Sequence, residues 1–203
     1  KNLLNIFSMT KFLKNSIYCL SFFLINLFVI CDYTKSAPYD IANASYDSKS
    51  FDVSNEEAVP LGLTFNNDGT KMYISGLANI LTEYDLGTAY DISTATFNGS
   101  TSGLLGMYSN PEITFNSDGS RLYAIGQLNC IITEYTLTTN FVISDMAPTG
   151  NELDLCVIDP IGRNLVFGKD GKRLYVLGRG NSKVYQFDLT TAYDLTSATQ
   201  TGD

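Results

Sequence analysis

Phe65-Asn-Asn-Asp68-Gly69-Thr-Lys-Met-Tyr73-Ile returns as Phe115-Asn-Ser-Asp118-Gly119-Ser-Arg-Leu-Tyr123-Ala and again as Phe167-Gly-Lys-Asp170-Gly171-Lys-Arg-Leu-Tyr175-Val. The Phe-to-Phe intervals are 50 and 52 residues. Each copy is followed by a second apolar run: Ile80 to Leu86, Ile131 to Leu137 and Val184 to Leu189. A further signature, Ala89-Tyr-Asp-Ile-Ser-Thr-Ala-Thr-Phe97, comes after the first copy and recurs after the third as Ala192-Tyr-Asp-Leu-Thr-Ser-Ala-Thr199.

Within each copy an apolar run leads into an Asp-Gly turn and out into an alternating run around the repeated Tyr. That is the chemistry of a β-hairpin: Gly takes a positive φ without Cβ cost, and the Asp carboxylate caps nearby amides. Asp68, Gly69, Asp118, Gly119, Asp170 and Gly171 are therefore expected as structural turn residues. First strands are expected at Leu61–Phe65, Glu112–Phe115 and Asn164–Phe167, and second strands at Lys71–Ser75, Arg121–Ile125 and Arg173–Leu177. Asn79, Asn129 and Asn181 mark the turns before the third strands, and fourth strands are expected near Thr94–Phe97 and Ser197–Thr201. Self-similarity at this period, built from short strands, specifies β-propeller blades. The expected fold is all-β: about three four-stranded blades, with repeats at about 51–97, 98–145 and 146–203.

Residues 37–46, Ala-Pro-Tyr-Asp-Ile-Ala-Asn-Ala-Ser-Tyr, match the end of a repeat. Residues 38–50 are thus expected as a latch, the outer strand of a blade whose other strands are missing. Three blades and one orphan strand fall short of a ring of four to eight. The ring is expected to be incomplete in this chain, as in a fragment of a larger propeller; assembly of several chains, or an open array, are the alternatives. Closure would need the missing blades or further chains.

The first 37 residues differ in kind. Lys11 and Lys14 precede sixteen uncharged residues, Ser16 to Cys31, the length of a signal-peptide apolar region and short of a membrane span. Met9 is a candidate true start. A cleaved secretory signal is the expectation, with a retained anchor or a lipidated Cys31 as the alternative, so any membrane contact would run through this segment alone. The location implied is secreted, periplasmic or cell-surface. Outside the signal only Cys130 and Cys156 remain, and pairing and free thiols are both open.

The net charge is −8, which argues against nucleic acid as a partner. The one basic cluster, Lys169, Lys172, Arg173, Arg179 and Lys183, reads as a solvated blade edge. With no histidine, these residues hold no Ser-His-Asp or Cys-His arrangement and no His-ligated metal. No catalytic residue is assigned and no cofactor is required. Hydrolysis would have to use carboxylates with Ca2+; the candidates in blade-to-blade segments are Glu56, Glu57, Glu112, Glu152, Asp154 and Asp159, with Glu112 and Asp154 singled out. Solvated loop carboxylates are the plain reading of the same residues. Asn43-Ala-Ser45 and Asn98-Gly-Ser100 are glycosylation sequons.

The Phe-x-x-Asp-Gly-x-x-x-Tyr pattern over residues 39–203 resembles the secreted YVTN and lactonase-like β-propellers, and more loosely the TolB and NHL types. The WD-repeat signature is not met, as there is no Trp. The resemblance implies lactone hydrolases on one side and loop-presenting surface proteins on the other. The favoured expectation is an exported binding or scaffold module with a protein or glycan partner at the loops of Asn79, Asn129 and Asn181. A carboxylate- and metal-dependent lactonase or gluconolactonase-like hydrolase, and a structural cell-surface repeat protein, are the alternatives.

Overall fold

The structure is a computed structural model that describes residues 41–102, 112–126 and 130–201. Residues 1–45 and 46–203 form separate units, and the account of the sheets below concerns the second. The expected signal segment, 1–37, lies outside the described residues. Among the described residues no helix is long and apolar enough to cross a membrane.

Each Asp-Gly turn closes the hairpin that its chemistry specifies. The Asp68 carboxylate accepts the Thr70 N–H at 3.0 Å, Asp118 the Ser120 N–H at 3.0 Å, and Asp170 the Lys172 N–H at 3.0 Å. The glycines that follow stand at φ 72°, 73° and 70°. They are needed for space as well as for φ: a Cβ at Gly69, Gly119 or Gly171 would fall on the ring of Tyr90, Phe141 or Tyr193. Those three aromatics are counterparts, each at positive φ, and each N–H donates back to the turn glycine's carbonyl.

Three sheets result, each a four-stranded antiparallel meander in chain order. The first holds β1 (Pro60–Phe65), β2 (Lys71–Gly76), β3 (Ile80–Leu86) and β4 (Ala95–Ser102). The second holds β5 (Glu112–Phe115), β6 (Arg121–Ile125), β7 (Ile131–Leu137) and β8 (Met146–Asp154). The third holds β9 (Gly162–Phe167), β10 (Arg173–Gly178), β11 (Lys183–Leu189) and β12 (Ala198–Gln200). These are three propeller blades, and the first three strands of each stand where the sequence places them.

The third blade's fourth strand falls inside the expected 197–201, and the first blade's begins within the expected 94–97 but runs on to Ser102; the second blade's was not marked in the sequence. Residues 98–102 and 146–154 belong to β4 and β8, so the first blade runs past 97 to Ser102 and the second past 145 to Asp154. Both strands are bulged: the ladders shift register between Glu83 and Tyr84 and between Thr133 and Tyr135, and Gly150 stands at φ 85°. A bulge breaks the two-residue alternation by which a strand is recognised. Pro148 is tolerated because β8 is an edge.

The expected latch, 38–50, forms no strand in its described part. It does hold a 3-10 turn, Ile41–Asn43, closed by the Ala44 N–H on the Ile41 carbonyl at 3.2 Å, as Ala95 closes Ile92–Thr94. Ser48 at φ 65° takes the place of Gly150 in β8. The local conformation of an outer strand is there without a ladder, because each sheet already has its own fourth strand.

Adjacent blades are joined by one repeated lock. The Tyr73 hydroxyl donates to the Phe141 carbonyl at 2.5 Å, and Tyr123 to the Tyr193 carbonyl at 2.5 Å. Each Tyr ring also packs on the next blade's first-strand Phe, with centroids 4.8 Å (Phe115) and 4.7 Å (Phe167) apart. Tyr73 therefore sits in the cluster between blades one and two, and Tyr123 in that between two and three. Burying such rings with their hydroxyls satisfied holds the stack together. The first strands β1, β5 and β9 approach one another along the inner edge.

Candidate functional site

The inner edge is where a propeller places its channel, and here it carries Glu112 on β5 and Arg163 on β9. Burial pushes the half-buried Glu112 carboxyl above the ordinary carboxylate value, with the Arg163 charge opposing. Asp154 does not join it. In the ladders Glu112 pairs with Ile125, Ile125 with Ile132 and Ile132 with Leu153, so Asp154 lies at the outer edge of the same sheet. Three strand spacings separate them, about 14 Å. The two favoured metal candidates share no site.

Asp154 instead flanks a disulfide. Cys130 and Cys156 are bonded, with Cα atoms 5.1 Å apart, and the Asp154 carboxylate accepts the Cys156 N–H at 2.8 Å. The ligand atoms of Cys130, Asp154 and Cys156 lie within 4.8 Å of one another, but bonded sulfurs are not the thiolates that bind metals. The bond ties the loop before β7 to the segment leaving β8.

Two of the other carboxylates hold the entry to blades one and three. Buried Glu57 accepts the Val59 N–H at 2.9 Å and the Ala78 N–H at 3.1 Å. Buried Asp159 accepts the Ile161, Gly180 and Asn181 N–H groups at 3.0, 2.9 and 2.9 Å, and backbone hydrogen bonds hold its pKa low despite burial, which raises it. Glu56 accepts the Tyr84 hydroxyl at 3.1 Å, and Glu152 is exposed on β8. Glu57 and Asp159 pin the loop between second and third strands to the turn entering the blade.

The three loop asparagines are not equivalent. Asn79 directly precedes β3 at φ 56°, and its buried Oδ1 has no partner among the described residues. In the third blade the positive φ falls on Ser182, while Asn181 donates through Nδ2 to the Ile158 carbonyl at 2.6 Å. Asn129 lies outside the described residues. The Asn98 sequon amide donates to Glu83 at 2.8 Å, and Asn43 lies in the first 3-10 turn. Lys169, Lys172, Arg173, Arg179 and Lys183 are all exposed.

Two buried carboxylates escaped the sequence reading. Glu83 accepts Lys71 Nζ at 2.5 Å, Asn98 Nδ2 at 2.8 Å and, from the next blade, the Ile143 N–H at 3.0 Å. Glu134, its counterpart, meets Arg121 at 3.3 Å. The repeated Thr-Glu-Tyr, at Thr82–Tyr84 and Thr133–Tyr135, was the available signal.

Glu112 gives a pH prediction. Its carboxyl binds a proton more tightly in the folded chain, so its contribution to stability is present below the ordinary value of 4.5 and lost as pH rises through the folded value. Glu112→Gln is therefore expected to gain stability relative to the parent as pH rises from acid to neutral. Thermal unfolding across that range checks it; a pH-independent difference would refute the assignment.

No family model matches the chain, and neither does any curated protein. Solved structures do. A 6-phosphogluconolactonase candidate from Bacteroides fragilis is 18% identical with TM-score 0.51, over 70% of this chain and 37% of its own. A second such candidate, from Bacteroides uniformis, is 15% identical with TM-score 0.53, over 76% of this chain and 44% of its own. A Lactobacillus plantarum protein is 17% identical with TM-score 0.53, over 70% of this chain and 40% of its own. The matched part of the chain thus spans less than half the length of each of these proteins. At such identities the likeness concerns the fold alone.

Proposed function

We propose that this chain supplies three blades of an exported β-propeller that works as a binding scaffold, presenting its loops to a protein or glycan partner. The supporting observation is that the connecting carboxylates are spent on structure: Glu57 and Asp159 are enclosed by backbone amides, and Glu112 and Asp154 lie at opposite edges of a sheet. Rigid blades with pinned loops suit recognition. The disulfide fits an oxidising compartment, in keeping with a secreted, periplasmic or cell-surface location. The test is a glycan array and a panel of purified surface proteins, probed with the chain and with a Leu77→Ser/Arg179→Ser variant, both residues being exposed on the loops. Discrete ligands whose signal falls at least about tenfold in the variant, with unchanged melting, are expected. Signal that ignores the loops, or no ligand at all, overturns the reading.

Glu112 favours a second reading, hydrolysis of a sugar-acid lactone. A carboxyl held toward its neutral form beside a guanidinium, on the inner edge, is placed as a functional acid would be. Loop carboxylates would then supply Ca2+ with oxygen ligands. Lactone turnover that needs Ca2+ and disappears in Glu112→Gln would support it; turnover that survives the substitution would remove it.

A further inference from the structure

We infer that the joint between blades two and three is tightened by acid: Glu134 of blade two stands in the field of Asp194 of blade three, and a proton on Glu134 draws the two blades together. The joint between blades one and two lacks this response. The inference is independent of either function above, and its basis is one bond present at the first joint and missing at the second.

Glu83 on β3 and Glu134 on β7 are counterparts, and both are buried. One oxygen of each is used inside its own blade. Glu83 Oε1 accepts Lys71 Nζ at 2.5 Å and Asn98 Nδ2 at 2.8 Å. Glu134 Oε1 meets Arg121 at 3.3 Å and accepts Asn151 Nδ2 at 3.4 Å. The second oxygen of Glu83 crosses the joint and accepts the Ile143 N–H at 3.0 Å. The second oxygen of Glu134 is buried without a partner among the described residues, and the Leu195 N–H, counterpart of Ile143, has no acceptor among them. The surroundings of the missing bond are kept. Ile143 and Leu195 are both buried, the 3-10 turn Ile143–Asp145 packs on β4 as Leu195–Ser197 packs on β8, and the tyrosine lock is closed at both joints.

What differs is the residue before the donor. Val142 precedes Ile143 and carries no charge, whereas Asp194 precedes Leu195. Asp194 caps its own turn, its carboxylate accepting the Thr196 N–H at 3.0 Å, and this holds the charge at the joint. The other groups that reach Glu134 are Arg121 and Tyr123 on β6 and Thr149 and Asn151 on β8. The Tyr123 hydroxyl is committed to the Tyr193 carbonyl, and the Arg121 side chain is 40% exposed, so neither covers the bare oxygen. Burial first, and the Asp194 charge after it, push the Glu134 carboxyl above the ordinary 4.5, with Arg121 opposing.

A proton on Glu134 does two things at once: it cancels the repulsion between two carboxylates, and it turns an acceptor-only group into a donor. Since folding strengthens proton binding at Glu134, the stabilisation is present below 4.5 and lost as pH rises through the folded value. Acid therefore locks blade three to the other two. Toward neutral pH the tyrosine lock and the apolar cluster hold it, and local opening at this joint becomes easier than at the first.

The test combines carboxyl NMR of Glu134 with native-state hydrogen exchange, corrected for intrinsic rates, from about pH 4 to about pH 7.5. Every protein carries Glu112→Gln, so that the inner-edge carboxyl cannot supply the response. On acidification, protection of residues 195–199 relative to their counterparts 143–147 is expected to rise about threefold to tenfold, the worth of one hydrogen bond. Glu134 is expected to titrate above 4.5. Asp194→Asn, which still caps the turn, is expected to lower that midpoint and shrink the rise. Glu134→Gln is expected to abolish the rise and leave 143–147 as before. An equal response of the two segments, a rise that survives Glu134→Gln, or a Glu134 midpoint that ignores Asp194→Asn overturns the inference. Should Glu134→Gln fail to fold, Asp194→Asn decides on its own.

Discussion

Lys71→Met is expected to destabilise the chain by about 3–5 kcal/mol in urea unfolding at neutral pH. The lysine Nζ lies 2.5 Å from Glu83 and 2.7 Å from Asp85, and the Glu83 side chain is almost wholly out of solvent. Methionine matches the lysine stem in length, so the packing along β2 survives and the change isolates the charge. Glu83 would keep the Asn98 and Ile143 donors, which places the loss toward the lower end. Those two bonds also carry the effect outward: the Ile143 N–H belongs to the next blade, so a Glu83 that turns toward water loosens the joint between blades one and two. Lys71→Met/Glu83→Gln is expected to recover most of the loss, because the uncompensated charge is gone and the amide can still accept. Equal losses in the single and double variants would show that the stem, and not the charge, holds the site. Arg121→Met is expected to cost less. Burial already pushes the Glu134 carboxyl upward, with Arg121 only partly opposing, and one Glu134 oxygen has no partner among the described residues.

Hairpins were legible because their chemistry is local. Asp68-Gly69, with an apolar run on each side, specifies a turn whatever else surrounds it, and the same held at Asp118 and Asp170. The fourth strands were legible only in part: β12 was, but the far half of β4 and all of β8 were not, because the extra residue at Asn98 and the Gly150 bulge destroy the alternation that marks a strand. The counterpart of Tyr90 in the second blade was hidden for a different reason. Phe141 is flanked by Asn140 and Val142 in place of Ala and Asp, so the signature vanishes while the backbone conformation persists. At the candidate site the gap was wider. Glu57 and Asp159 looked like solvated loop carboxylates; what makes them structural is the convergence of amides up to 22 residues away in sequence, which no pattern reports. Glu112 and Asp154 looked like partners because both lie near blade junctions, yet a meander sends the start and end of one blade to opposite edges.

Tyr123→Ala is expected to cost about 3–5 kcal/mol, the range for deleting a fully buried aromatic ring. The ring is packed at 4.7 Å against Phe167, which itself stacks at 5.1 Å on Tyr193, so removing it empties the centre of the cluster between blades two and three. The hydroxyl adds a separate, smaller part. Tyr123→Phe keeps the ring and removes the hydroxyl with its bond to the Tyr193 carbonyl, which is expected to cost about 1 kcal/mol. The loss should also be local in character, because each blade touches only its neighbours. Hydrogen exchange in Tyr123→Ala is expected to speed up over residues 162–200 more than over 60–102; uniform acceleration would mean that the three blades unfold as one unit and that the lock is not the joint. Tyr175→Phe supplies the control: with no acceptor for its hydroxyl among the described residues, the same deletion one blade further on is expected to leave the chain's own stability unchanged. A stability loss at Tyr175 equal to that at Tyr123 would show that the hydroxyl matters within a blade and not between blades, and the repeated lock would no longer account for how the stack holds together.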